Sequence, residues 1–336
     1  MVENKVKQGS VPPAAVELRL VSPAFVRAVG GNFLCAMLFC WLLCLQPVAA
    51  EEPDGSEELN SPLKVASAND VQLHYLERGN GDPLIFVHGG LGDYREWLEQ
   101  IGPFSRRYRV IDYSRRYDYP NTNPEMPTYS AATDASDLTG LMDALKLERV
   151  HLVSYSYGAF ASLFFAIQHP ERVRSLTLSE PPIFKWLPEI PGGQEQLDHF
   201  MAMFWKPVAE TFRRARPKDV LRITCDYFGG KGSYDVLPPD VRSRLASDLP
   251  EWKALITSRD AFPNIDRNAV KGLTVPTLLI TGEKTLPEMR MITDELSRLM
   301  PDAKVVGIPG ATHDMWIEAP EGCRNATLKF ISAHER

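Results

Sequence analysis

The chain has 336 residues, 44% of them apolar and 24% charged, enough to bury a sizeable core in one large or two small domains. Its net charge of −6 includes no basic run of the kind that tracks a phosphate backbone, so nucleic acid is not an expected partner. The five cysteines lack the paired spacing of a zinc site, and no motif calls for a metal or an organic cofactor; a small-molecule substrate is the expected ligand.

The first fifty residues differ from the rest. Lys5, Lys7, Arg19 and Arg27 precede an apolar run from Phe33 to Leu45, followed by Val48-Ala49-Ala50 and then Glu51-Glu52. Basic, apolar and small segments in that order read as a secretory signal peptide over 1–50, with the cut expected after Ala50. The apolar run is short beside the roughly 20 residues that span a bilayer. An uncleaved anchor is the alternative, because no charge occurs between Arg27 and Glu51. Either way the remainder is expected to be exported, periplasmic or secreted, and to meet a membrane only if the leader is retained. Cys35, Cys40 and Cys44 follow Leu or Phe, unlike the small residue that precedes a lipid-modified cysteine. Losing the leader moves the net charge from −6 to −8 and leaves Cys225 and Cys323, which an oxidising compartment could bridge or leave as separate thiols.

Residues 51–62 are acidic and contain Pro and Ser, as a solvated linker would, and the folded body is expected from 63 to 336. Apolar or alternating runs at 71–76, 84–88, 110–113, 150–153, 176–178, 277–280 and 305–308 predict strands. Amphipathic stretches at 94–107, 129–147, 157–169, 288–300 and 320–334 predict helices between them. Such alternation implies an α/β fold, a mostly parallel sheet with helices on both faces, whose chemistry gathers at the strand C-termini. From about 181 to 272 the strand signal fades while aromatics and helix formers persist, which predicts an inserted helical lid.

The chemistry-bearing motifs follow the same order along the chain. His88-Gly89-Gly90-Leu91-Gly92 places three glycines in five positions, the mark of a sharply bent backbone. Arg115-Arg116 follows the strand ending near Tyr113; a guanidinium there could hold a substrate carboxylate, but a structural ion pair is the commoner use, and both stay outside the predicted site. His151-Leu152-Val153-Ser154-Tyr155-Ser156-Tyr157-Gly158 runs from a strand straight into a helix, with small residues two before and two after Ser156. That spacing suits a tight turn that lifts a serine hydroxyl clear of the sheet. It resembles the nucleophile elbow of the α/β-hydrolase superfamily, with Ser154 in place of the first glycine of G-x-S-x-G.

The resemblance extends over about residues 65–334. It implies a cofactor-free serine hydrolase, esterase-like, with Ser156 as nucleophile and the amides of Gly90 and Tyr157 as oxyanion donors. Pro309-Gly310-Ala311-Thr312-His313 resembles the superfamily's catalytic-histidine loop and makes His313 the general base. Most relatives carry an acidic residue where Thr285 stands here, so the acid must come from elsewhere. Some members place it at the end of the strand after the elbow, which implies Glu180, in Ser179-Glu180-Pro181-Pro182, with Glu283 as the competing carboxylate. Perhydrolase, lactonase and carbon–carbon bond hydrolase chemistry share these residues. A non-catalytic binding protein of the same fold is the remaining alternative, hinted at only by Thr285. Asn325-Ala326-Thr327 matches a glycosylation acceptor but falls in a predicted helix and is read as chance.

Overall fold

A computed structural model describes residues 62–214 and 216–335. The expected signal peptide, its cut after Ala50, and all but the last residue of the expected linker lie outside the described residues.

Eight strands form one sheet: β1 (Lys64–Ala68), β2 (Val71–Arg78), β3 (Asp82–Val87), β4 (Tyr108–Tyr113), β5 (Val150–Tyr155), β6 (Val173–Ser179), β7 (Thr277–Gly282) and β8 (Lys304–Ile308). Their order is β1-β2-β4-β3-β5-β6-β7-β8. β1 pairs antiparallel with β2 and β2 with β4, whereas every pairing from β4 to β8 is parallel. The interior strands β5 and β7 are buried at every position, as expected for parallel strands covered on both faces. Alternate residues of β3 feed two separate cores: Ile85 and Val87 join one, Leu84 and Phe86 the other.

The predicted strands are all present. The sequence reading missed only β1, an alanine-containing edge strand that lacks a run of β-branched and aromatic residues. The stretch expected as one helix from 94 begins instead as a 3-10 turn, Tyr94–Trp97, capped by the Asp93 side chain, and continues as α1 (Leu98–Ser105). α2 (Ala131–Ala144) and α3 (Ser156–Gln168) bury Leu138, Leu141, Phe160 and Leu163 against one face of the sheet.

Between β6 and β7 the chain is helical. It contains a 3-10 turn (Phe184–Glu189), α4 (Gly193–Phe200), a π-helical turn (Met201–Trp205), α5 (Lys206–Arg213), α6 (Pro217–Phe228), α7 (Ser233–Val236), α8 (Pro239–Ser247), α9 (Leu249–Thr257) and α10 (Arg267–Lys271). Its aromatic residues interlock: the Phe204 ring lies 5.0 Å from Tyr227 and 5.3 Å from Trp252. α11 (Pro287–Leu299) follows β7; α12 (Met315–Glu318) and α13 (Pro320–Ser332) follow β8. With α1, α13 covers the second face through Ile101, Phe104, Phe330 and Ile331. Asn325 to Thr327 fall within α13, where Thr327 is buried. Cys225 and Cys323 are free thiols, so the bridge between them is not formed.

Candidate active site

The C-terminal ends of β3, β5, β6, β7 and β8 converge on one point. β5 ends at Tyr155 and α3 begins at Ser156, with no intervening loop. Ser156 adopts φ +50°, a left-handed conformation that costs a residue with a Cβ on the order of 1–3 kcal/mol and persists only when its surroundings enforce it. Gly158 shows what enforces it: a Cβ there would lie 2.2 Å from the carbonyl oxygen of His88, so α3 can approach the end of β3 only with glycine at that position. Position 154 is less demanding. Ser154 is buried and its hydroxyl donates to the carbonyl of Thr177 at 2.8 Å, which satisfies the side chain where relatives have glycine.

His313, in the loop after β8, reaches across. Its Nε2 lies 3.0 Å from Ser156 Oγ and its Nδ1 lies 2.6 Å from Glu180 Oε2. Glu180 directly follows β6, is buried and also adopts a left-handed φ of +49°. Its Oε1 accepts from Thr281 Oγ1 at 2.7 Å and from the Gly282 amide at 2.9 Å; Oε2 additionally accepts from Thr285 Oγ1 at 2.6 Å. Four donors thus fill a carboxylate's hydrogen-bonding capacity. Thr285 therefore supports a carboxylate supplied from the neighbouring strand. Glu283 is exposed, accepts from the Gly310 amide at 2.7 Å and makes no contact with His313.

The His313 ring stacks on Phe228 at 5.3 Å and is tilted against Tyr155 at 5.1 Å. Burial alone would lower its pKa, but the hydrogen bond and charge of Glu180, with smaller contributions from Asp314 and Glu288, outweigh this and hold it above the ordinary value of 6.5.

The Tyr157 amide belongs to the first turn of α3, where backbone donors have no intrahelical partner and the helix end is partially positive. Gly90 faces it: a Cβ at Gly90 would sit 4.0 Å from the Tyr157 Cβ. Gly90 and Tyr157 line the same pocket as Ser156. The loop carrying Gly90 is tied down from several sides. Glu251 of α9 accepts from the Leu91 amide at 2.9 Å, and Arg115 donates to the carbonyls of Gly89 at 2.9 Å and His88 at 3.2 Å.

Arg115 is fully buried and pairs with Glu251 and with Asp134 at 2.7 Å, with Asp118 3.5 Å away. Burial pushes the Asp118 carboxyl well above the usual range and raises Asp134 and Glu251 as well. The guanidinium is thus enclosed by carboxyls and carbonyls, and its work is to hold the glycine loop and the inserted helices together. Arg116 pairs separately with Asp137 at 2.6 Å. Arg115→Met leaves these buried carboxyls without their counter-ion, which typically costs about 3–5 kcal/mol. Urea unfolding should show the loss as a lower midpoint; an unchanged midpoint would mean that the network does not stabilise the fold.

A pocket of about 260 Å³ opens over Ser156 and His313. Phe200, Phe204, Phe228, Trp252, Phe262 and Met289 supply much of its wall. Among the described residues, no lysine or arginine lines it. Its ionisable side chains besides His313 include two carboxyls. Asp314 accepts from Tyr155 Oη at 3.0 Å, and burial pushes Glu96 up to about 8. No group of three or more His, Cys, Asp or Glu among the described residues is placed to hold a metal ion.

The fold and the site define an α/β enzyme with a serine, a histidine and a carboxylate in hydrogen-bonded sequence at the strand ends. The family model for the alpha/beta hydrolase fold matches residues 82–320, and the chain belongs to that family and is a hydrolase. Over 172 residues it is 31% identical to 2-hydroxy-6-oxo-6-phenylhexa-2,4-dienoate hydrolase of Comamonas testosteroni, an alignment covering 49% of this chain and 59% of that enzyme. It is 26% identical to carboxylesterase YbfK of Bacillus subtilis, covering 77% of this chain and 84% of that one. The solved structure of the enol-lactonase from Burkholderia xenovorans LB400 superposes with a TM-score of 0.63 at 22% identity, over 80% of this chain and all of that one.

Proposed function

We propose that the chain hydrolyses uncharged carboxylic esters of small or medium size through an acyl-enzyme. The carrying observation is the continuous relay from Ser156 Oγ through both ring nitrogens of His313 to Glu180. His313 Nε2 takes the hydroxyl proton as Ser156 Oγ attacks the ester carbonyl carbon, and the Gly90 and Tyr157 amides receive the developing negative oxygen. The same Nε2 then protonates the departing alcohol, and a water deprotonated by His313 releases the acid in a second, equivalent step. Glu180 holds Nδ1–H, fixes the tautomer and stabilises the imidazolium. Its carboxylate supplies the negative charge that Thr285 lacks, which supports an enzyme over a non-catalytic binder.

The pocket's charge bears on the substrate. Burying an anion in an apolar cavity without a counter-ion is costly, and this pocket presents carboxyls and no cation from the described residues. That favours an ester over the anionic dienoate that the C. testosteroni relative is named for. On a panel of nitrophenyl esters, acetate and butyrate should be turned over with kcat/KM at least about tenfold above the hemisuccinate, because burying its carboxylate without a counter-ion typically costs several kcal/mol. Preference for the hemisuccinate would overturn this charge assignment.

A further inference from the structure

Between the inserted helices lies a second, more open cavity of about 500 Å³, next to the pocket of about 260 Å³ beside Ser156. Four residues line both: Phe184, Phe200, Leu255 and Phe262. All are apolar, and the three phenylalanines pack on one another, with Phe184 4.1 Å from Phe200 and 5.0 Å from Phe262 between ring centroids. On its other side Phe262 meets the Tyr157 ring at 5.8 Å, immediately after Ser156 in the chain. The two spaces therefore share a wall of apolar side chains.

Beyond that wall the second cavity has an apolar side of Leu197, Met201, Trp205 and Ile256 and a polar side of Ser258, Arg259, Asn264 and the Lys185–Asp260 ion pair at 2.8 Å. Two of these residues, Met201 and Trp205, bound the one π-helical turn among the described residues, a local irregularity that recurs at functional sites. Phe262 lies in the segment between α9 and α10, outside any helix or strand, so its ring is not fixed by a regular element.

We propose that the second cavity is a binding site for the distal end of an unbranched hydrocarbon chain whose ester group lies at Ser156, and that Phe262 is the partition setting how long a chain the enzyme accepts. Ester position rests on the function proposed above; the cavity's affinity for a hydrocarbon chain does not. The pocket beside Ser156 would seat the reacting carbonyl and the first few carbons, and a longer chain would displace the Phe262 ring and run between Leu197 and Ile256. Burying each methylene contributes about 0.8 kcal/mol, so a chain that crosses the wall gains substantially with length.

The test has two arms. Ester length is varied first on the acyl side, as nitrophenyl acetate to dodecanoate, and then on the alcohol side, as ethyl to dodecyl acetate. Phe262→Ala should raise the dodecyl-to-short ratio of kcat/KM at least tenfold in one series, which identifies the chain that crosses. Leu197→Phe and Ile256→Phe, both of which fill the second cavity without lining the pocket beside Ser156, should each lower that ratio at least fivefold. The second arm measures 1-decanol binding by calorimetry, which needs no turnover, and the two filling variants should weaken its Kd at least fivefold. Unchanged ratios in both series together with an unchanged decanol Kd would overturn the proposal. Absent turnover with the decanol effect intact would overturn the ester reading alone.

Discussion

Ser156→Ala is expected to lower kcat/KM on nitrophenyl acetate by about four to six orders of magnitude, with the folded state retained. Removing the nucleophile of such a relay leaves only the rate enhancement due to the oxyanion donors and binding. The hydroxyl accounts for little else, since its hydrogen bond is to His313. The backbone at 156 stays left-handed with alanine, so the strain of the turn persists and the unfolding midpoint should move little. Steady-state kinetics with a check on the thermal midpoint decides the matter. Full activity in the variant would remove Ser156 from the reaction.

The second large effect belongs to Glu180. Glu180→Gln is expected to cost on the order of 10⁴ in kcat, because the amide no longer balances the imidazolium and can leave His313 in the wrong tautomer. The pH dependence gives a separate readout. His313 must be neutral to accept the Ser156 proton, and Glu180 raises its pKa, so the wild-type acid limb of kcat/KM should fall off with a midpoint above 6.5. Without the carboxylate the burial effect, which lowers the pKa, is opposed only by the smaller contributions of Asp314 and Glu288, and the limb should move to lower pH. Glu283→Gln is the control: exposed and bonded to the Gly310 amide, it should change kcat by no more than about twofold. Similar losses in both variants would mean that neither carboxylate acts directly on His313.

The contrast between Glu180 and Glu283 shows how much of the site the sequence carried. Ser156 and His313 sit in local motifs that each carry a glycine with a backbone reason: Gly158 because a Cβ would meet the His88 carbonyl, Gly310 because it adopts a left-handed φ of +71°. Glu180 was legible only through a resemblance, because the reason it serves lies in pairing between strands: β6 and β7 run side by side, so Thr281, Gly282 and Thr285 deliver three donors to it from about a hundred residues away.

Nothing local marks the residues around the glycine loop. A structural ion pair is the commoner expectation for Arg115, but its partners Glu251 and Asp134 require α9 and α2 to arrive at the same place. Glu251 carries no local signal in the sequence and is buried on the loop that presents Gly90. Glu96 likewise gave no signal, since its entry into the pocket depends on the 3-10 turn that replaced the start of an expected regular helix. Among the predicted elements, β1 was missed for a related reason. Ala66 and Ala68 are buried in the core, where Gly140 of α2 packs against Ala68, a contact no local pattern announces.

The relay itself is tested most directly by covalent labelling. The purified protein is treated with an alkyl fluorophosphonate and digested, and the adduct is located by peptide mass spectrometry. One adduct per chain on Ser156, formed rapidly by the wild type and slowed at least about a hundredfold in His313→Ala, is the result predicted by a serine activated through His313. An unmodified Ser156 in protein that remains active on esters, or equal labelling with and without His313, would contradict it.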